Sequence, residues 1–88
     1  MIRKRVVVTG DVQGVFFRDT CRREATHTGV AGWVRNRDDG SVEAVFEGEP
    51  DAVQQLVAWT HRGPIRATVT GVEVTDEPAE GLTGFEVR

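Results

Sequence analysis

The sequence predicts an α/β sandwich in which two helices cover one face of an antiparallel sheet. Three observations lead there. Strand-like runs at Arg5–Thr9, Val30–Arg37, Ser41–Gly48 and Ala67–Thr75 alternate with two helix-compatible segments in the order βαββαβ, with a short closing strand at Gly84–Arg88. The second and third strands are separated by Asp38-Asp39-Gly40, a hairpin turn signal that makes them antiparallel neighbours. The chain has 88 residues, enough for one hydrophobic core and too few for two, so residues 1–88 are expected to form a single domain.

Each element has a local cause. Three consecutive valines, Val6-Val7-Val8, suit a central strand buried on both faces. Gly10 closes that strand, and Asp11–Phe17 forms a turn in which Gly14 is the natural position for an unusual backbone angle. A first helix over Arg18–Thr28 has Phe17, Cys21, Ala25 and Thr28 as its inward stripe, and Gly29 follows where a helix C-terminal glycine belongs. In Val30–Arg37, alternation puts Val30, Gly32, Val34 and Asn36 on one face and Ala31, Trp33, Arg35 and Arg37 on the other. Pro50 fits the first position of a second helix running to about Arg62, with Val53, Leu56, Val57 and Thr60 buried and Gly63-Pro64 ending it. Gly71 marks a bulge in the fourth strand, and Asp76–Thr83 is an acidic loop. Two crossover helices on one side of such a sheet make the ferredoxin-like arrangement. That arrangement hosts enzymes, metal carriers, RNA binders and regulatory modules, so function must come from a site.

Composition narrows the classes. A hydrophobic content of 39% with 28% charged residues is that of a folded globular chain. No apolar run approaches the roughly 20 residues needed to span a bilayer, and the basic start Met1–Arg5 leads straight into a strand rather than a signal-peptide core. The lone Cys21 cannot form an internal disulfide; a cytoplasmic location is expected. The net charge of −3 hides an asymmetry: residues 1–37 carry eight Lys/Arg against three Asp/Glu, and residues 38–88 three against eleven. A basic half can attract a small anion or a nucleic acid, or simply be a solvated surface. Nucleic acid is disfavoured because no aromatic run interleaves with the basic residues.

The stretch Thr9–Arg18, TGDVQGVFFR, stands out. A strand, a glycine-bearing turn and a helix start bring unpaired backbone N–H groups together at the positive end of a helix, which suits an anion such as phosphate. Arg18 is either an exposed first-turn arginine or the planar clamp of that cradle. Asn36 either bonds local backbone before the hairpin or faces the same loop from the second strand. Cys21 reads as a small core residue. His27 and His61 sit near helix C-termini without metal-ligand spacing to other donors. Asp11 and Asp19 flank the cradle in solvated or capping roles, and Trp33, Trp59 and the phenylalanines read as packing. There is no Walker-type GK[ST], no G-x-G-x-x-G and no RNP1-like run.

The blocks Val12-Gln13-Gly14-Val15-Phe16-Phe17-Arg18 and Gly32-Trp33-Val34-Arg35-Asn36, with the Asp39-Gly40 turn, resemble the acylphosphatase family. The resemblance continues through Val42-Glu43, Gly63-Pro64 and the closing Gly84-Phe85-Glu86-Val87, covering nearly the whole chain. It implies a small ferredoxin-like hydrolase that splits the carboxyl–phosphate bond of acyl phosphates without metal or cofactor. By that resemblance Arg18 matches the phosphate-binding arginine and Asn36 the asparagine that orients the attacking water. Backbone N–H groups of Gln13, Gly14, Val15, Phe16, Phe17 and Arg18 would surround the phosphoryl oxygens. The implied partner is a small acyl phosphate, with no nucleic acid and no membrane, and the chain is expected to be a monomer. Two positions depart from the family pattern: Asp11, just before VQGV, and Thr28-Gly29 in place of Leu-Gly. A non-catalytic anion-binding or interaction module of the same fold is the competing expectation; it would bind phosphate without turning over acyl phosphates.

Overall fold

The computed structural model describes all 88 residues. Its elements are β1 (Ile2–Asp11), α1 (Phe17–Thr28), β2 (Ala31–Asn36), β3 (Val42–Gly48), α2 (Pro50–Thr60), β4 (Thr68–Glu77) and β5 (Phe85–Val87). They form one five-stranded sheet in the order β4-β1-β3-β2-β5. The first four strands pair antiparallel, while β5 adds to the edge parallel to β2, pairing Phe85 with Gly32 and Val87 with Val34. The ferredoxin-like arrangement is therefore present with a mixed edge.

Strand alternation decides which face meets the helices. Val6 and Val8 of β1 sit opposite Ala44 and Val42 of β3, which sit opposite Val34 and Asn36 of β2. All the valines and the alanine in that row are fully buried, together with Phe17, Cys21 and Ala25 of α1 and Val53 and Leu56 of α2. Phe17 and Trp59 meet across the two helices with ring centroids 5.1 Å apart. Thr28 is only half-buried; its hydroxyl donates to the Glu24 carbonyl at 2.9 Å instead of joining the core.

The helix ends follow their sequence signals. Gly29 adopts φ 77°, and the N–H groups of Gly29 and Val30 bond the carbonyls of Thr26 and Ala25, closing α1 as a Schellman motif. Helix α2 begins at Pro50 and stops at Thr60, two residues before the expected Arg62, with the Arg62 and Gly63 N–H groups turned back onto the Trp59 carbonyl.

Strand β1 begins three residues earlier than the expected Arg5 and runs past Gly10 to Asp11. Its polar start is accommodated on the sheet face away from the helices, where Arg3 and Arg5 meet carboxylates from β3 and β4. Arg3 lies 2.9 Å from Glu77 and 3.5 Å from Glu47, and Arg5 pairs with both Glu43 and Glu77. Strand β4 extends through Asp76 and Glu77, taking two residues from the expected acidic loop. The bulge lies one residue before Gly71: Thr9 pairs with Gly71 and Gly10 with Val69, leaving Thr70 as the extra residue. What remains of the loop folds over the same face, its N–H groups at Glu80, Gly81 and Leu82 donating to the buried Glu47 carboxylate.

Candidate active site

The loop between β1 and α1 is held by its apolar ends. Val12 and Phe17 are buried in the core, and Val15 packs against it, while Gly14 and Phe16 between them face solvent. Pinning both ends forces the backbone to turn sharply in four residues. Gly14 takes φ 74°, and Phe16 takes φ 65°, the one non-glycine residue of the chain in the left-handed region. Such a conformation costs a side-chain-bearing residue about 1–2 kcal/mol and is characteristic of functional loops.

The outcome is a set of unused donors. The backbone N–H groups of Gln13, Gly14, Val15 and Phe16 have no acceptor within the protein, and no side chain caps the start of α1. The helix therefore presents its positive end and free donors to the same space. Arg18, in the first turn, is exposed and makes no ion pair or hydrogen bond, although most other arginines of the chain are engaged by carboxylates.

Strand β2 delivers the other half. Asn36 follows Gly32 and Val34 on the helix-side face, so its side chain points to the same side as α1. An open cleft of about 510 Å³ is bounded by Gly14, Phe16, Phe17, Arg18, Asn36 and, from the far edge, Val87 of β5. Asp19, Arg22 and Val12 complete its walls.

Five expected site residues thus share one cleft: Gly14, Phe16, Phe17, Arg18 and Asn36. Gln13 and Val15 do not line it with their side chains; Val15 packs inward and Gln13 turns toward the β2–β3 hairpin. Val87 and Arg22 were not foreseen. Arg22 lies one helical turn beyond Arg18, a spacing that could have signalled it. Val87 reaches the site only through the parallel pairing of β5, which has no local sequence signal. Asp11 is exposed, paired with Thr68 at the end of β1 and off the cleft wall, whereas Asp19 lines the cleft and lies 3.5 Å from Arg23.

Other candidates have structural roles. Cys21 is fully buried, and burial pushes its thiol far above the usual range. The His61 ring nitrogen Nδ1 lies 3.1 Å from the Val57 carbonyl. No three His, Cys, Asp or Glu side chains gather into a metal-binding cluster. The sheet face away from the helices carries Trp33 beneath Arg5, Arg35 and Arg88 and is threaded with the carboxylates of Glu43, Glu47 and Glu77. Much of the basic excess of the first half is therefore neutralised across strands, and this face offers no free aromatic platform for bases.

A ferredoxin-like sandwich with free loop N–H groups, a helix N-terminus and an unpaired arginine around one cleft defines the class: a small α/β domain whose donors at the start of α1 suit an anionic group. Comparison with known proteins makes this specific. The acylphosphatase family pattern matches residues 4–87. An acylphosphatase of Rubrobacter xylanophilus is 63% identical over 87 residues, covering 98% of this chain and 79% of that relative. The crystal structure of acylphosphatase from Bacillus subtilis superposes with a TM-score of 0.96 at 40% identity, covering 100% of this chain and 99% of that one. The structure of HypF from T. kodakarensis contains a similar region, with a TM-score of 0.86 and 27% identity over 12% of its length. The chain belongs to the acylphosphatase family. It is an enzyme that hydrolyses acyl phosphates.

Proposed function

We propose that the loop N–H groups from Gln13 to Arg18, with the Arg18 guanidinium, bind the phosphoryl group of an acyl phosphate, and that Asn36 orients the attacking water. The observation that carries this reading is the meeting of unpaired loop N–H groups, Arg18 and Asn36 around one cleft. In the transferring phosphoryl group, charge spreads over three equatorial oxygens, and donors already in place stabilise it without reorganisation. Arg18 supplies a planar pair of donors and a full charge. The Asn36 amide oxygen accepts a hydrogen bond from water and aims its oxygen at phosphorus, opposite the leaving group. As the new P–O bond forms, the bond between phosphorus and the carboxyl oxygen breaks and the carboxylate leaves with that electron pair. The water proton passes to a phosphate oxygen. A carboxylate needs no general acid to depart, consistent with a cleft that offers no histidine.

Acetyl phosphate or benzoyl phosphate hydrolysis tests the reading. Arg18→Ala and Asn36→Ala are each expected to lower kcat/KM by about 10²–10³-fold, the scale of removing one transition-state donor, with an unchanged circular dichroism spectrum. Wild-type rates in both variants would refute the assignment. Activity is expected to survive EDTA.

We also infer a cytoplasmic monomer that does not bind nucleic acid. No helix is long and apolar enough to cross a membrane. The carboxylate-rich outer sheet face supports the absence of nucleic-acid binding. Sedimentation equilibrium and a mobility-shift experiment with single-stranded RNA test the last two points.

A further inference from the structure

The two halves of the site come from elements that are far apart in sequence, and one side chain joins them. The Gln13 Nε2 group donates to the Arg37 carbonyl at 2.7 Å and to the Ser41 carbonyl at 2.9 Å. These are the hydrogen bonds that connect residues 12–16 to the β2–β3 hairpin. Both acceptors are themselves fixed. The Ser41 carbonyl also accepts the Arg37 N–H at 2.8 Å, and the Arg37 carbonyl accepts the Gly40 N–H at 3.2 Å. The Asp39 carboxylate closes the turn on the Ser41 N–H and hydroxyl, at 2.9 and 2.5 Å. The hairpin is thus a rigid post, and Arg37 is the residue directly after Asn36.

We infer that the Gln13 side chain is a positioning residue: it sets the distance between the phosphate-holding loop and Asn36. This rests on the proposed roles of that loop and of Asn36. The backbone of Gln13 belongs to the cradle while its amide grips the strand end that carries the water-orienting residue, so one residue couples phosphate to water. In-line attack tolerates little misplacement; an error of about 1 Å costs on the order of 10²-fold in rate. Neither half is built by this contact. Val12 and Phe17 hold the loop in the core, and the Asp39 turn holds the hairpin, so removing the tether leaves both halves folded but free to drift relative to each other.

Gln13→Met keeps the length and removes both donors, and Gln13→Glu keeps the shape and turns a carboxylate toward two carbonyls. Both are to be measured for kcat on acetyl phosphate, for the inhibition constant of inorganic phosphate and for thermal midpoint. The expected result is a kcat lowered by about 10–100-fold in both variants at pH 7, with phosphate inhibition within about threefold of wild type, because the loop and Arg18 still form the anion site. The Gln13→Glu defect relative to wild type should shrink as the pH is lowered toward 4.5, where the introduced carboxyl regains one O–H donor. A wild-type kcat in Gln13→Met, or phosphate binding lost in proportion to kcat, would overturn the inference. If Gln13→Met fails to fold, Gln13→Glu decides: a pH-independent defect counts against positioning and a recovering one supports it. Failure of the parent reading is separate, since Arg18→Ala and Asn36→Ala would then both keep wild-type rates, whatever the Gln13 variants do.

Discussion

Replacing Glu47 tests how the acidic loop is held, and the structure permits its magnitude to be worked out. Glu47 lies on the sheet face away from the helices and is 2% exposed. Its Oε2 accepts the Gly81 and Leu82 N–H groups at 2.7 and 2.8 Å, and its Oε1 accepts the Glu80 N–H at 3.0 Å and faces Arg3 at 3.5 Å. In Glu47→Gln the amide oxygen can replace Oε2 and keep two of these bonds. The NH₂ then confronts the Glu80 N–H and the Arg3 guanidinium, leaving one buried donor unpaired and the guanidinium with Glu77 and Glu80 alone. An orphaned donor costs about 1–3 kcal/mol, and each retained bond loses the extra strength of a charged acceptor, about 1 kcal/mol. Relief from burying a carboxylate offsets part of this. The expected net loss is about 2–4 kcal/mol, so with a urea m-value of about 1–3 kcal/mol/M the midpoint at pH 7 should fall by roughly 1–3 M.

Titration adds a second arm. The loop N–H groups, led by that of Glu80, hold the Glu47 carboxyl below the usual glutamate range against the opposing effect of burial. A carboxyl depressed in the folded state contributes stability that is complete above its unfolded pKa, about 4.3, and is lost as pH falls through the folded value. The gap between wild type and Glu47→Gln should therefore narrow below about pH 4.3. Glu77, depressed by its hydrogen bonds from Arg5 and Arg3, remains in both proteins, so the variant itself should still lose stability on acidification. A midpoint shift under about 0.3 M at pH 7, or a gap that stays constant into acid, would refute the account.

Four further outcomes are expected. Gly32→Ala should destabilise by about 3 kcal/mol or more, or fail to fold, because its Cβ would lie 1.8 Å from the Val45 carbonyl oxygen; urea unfolding reads this. Phe16→Gly should leave stability unchanged or raise it by up to about 1 kcal/mol by releasing the left-handed strain, while a raised KM for benzoyl phosphate would report loss of the exposed ring at the cleft. Cys21 should resist iodoacetamide in the native protein and react at once in 6 M guanidinium, as mass spectrometry would show. Arg18→Lys should recover only part of the activity lost in Arg18→Ala, since a point charge replaces a planar fork; steady-state kinetics on acetyl phosphate measures the ratio.

How far the site could be read from the chain depended on whether its cause was local. Gly29, Pro50 and the Asp39-Gly40 turn act within a few residues, and each element they bound was foreseen to within a few positions. The side of the sheet that Asn36 faces followed from the alternation Gly32, Val34, Asn36, because one buried face fixes every second side chain. Non-local causes were invisible. Strand β1 starts early because Arg3 finds acids on β3 and β4, and β4 runs on because Glu77 is one of them. The same pairing explains why a basic N-terminal half does not make a basic surface: cross-strand partners use up its charges and leave Arg18 and Arg22 free at the cleft. Gln13 is the sharpest case. Its place in the motif marks it as part of the loop, and only the return of the hairpin beside that loop shows that its side chain faces the other half of the site. A substitution there keeps the backbone N–H that the motif requires and removes the tether, so loop and hairpin can be tested as two parts whose relative placement sets the rate.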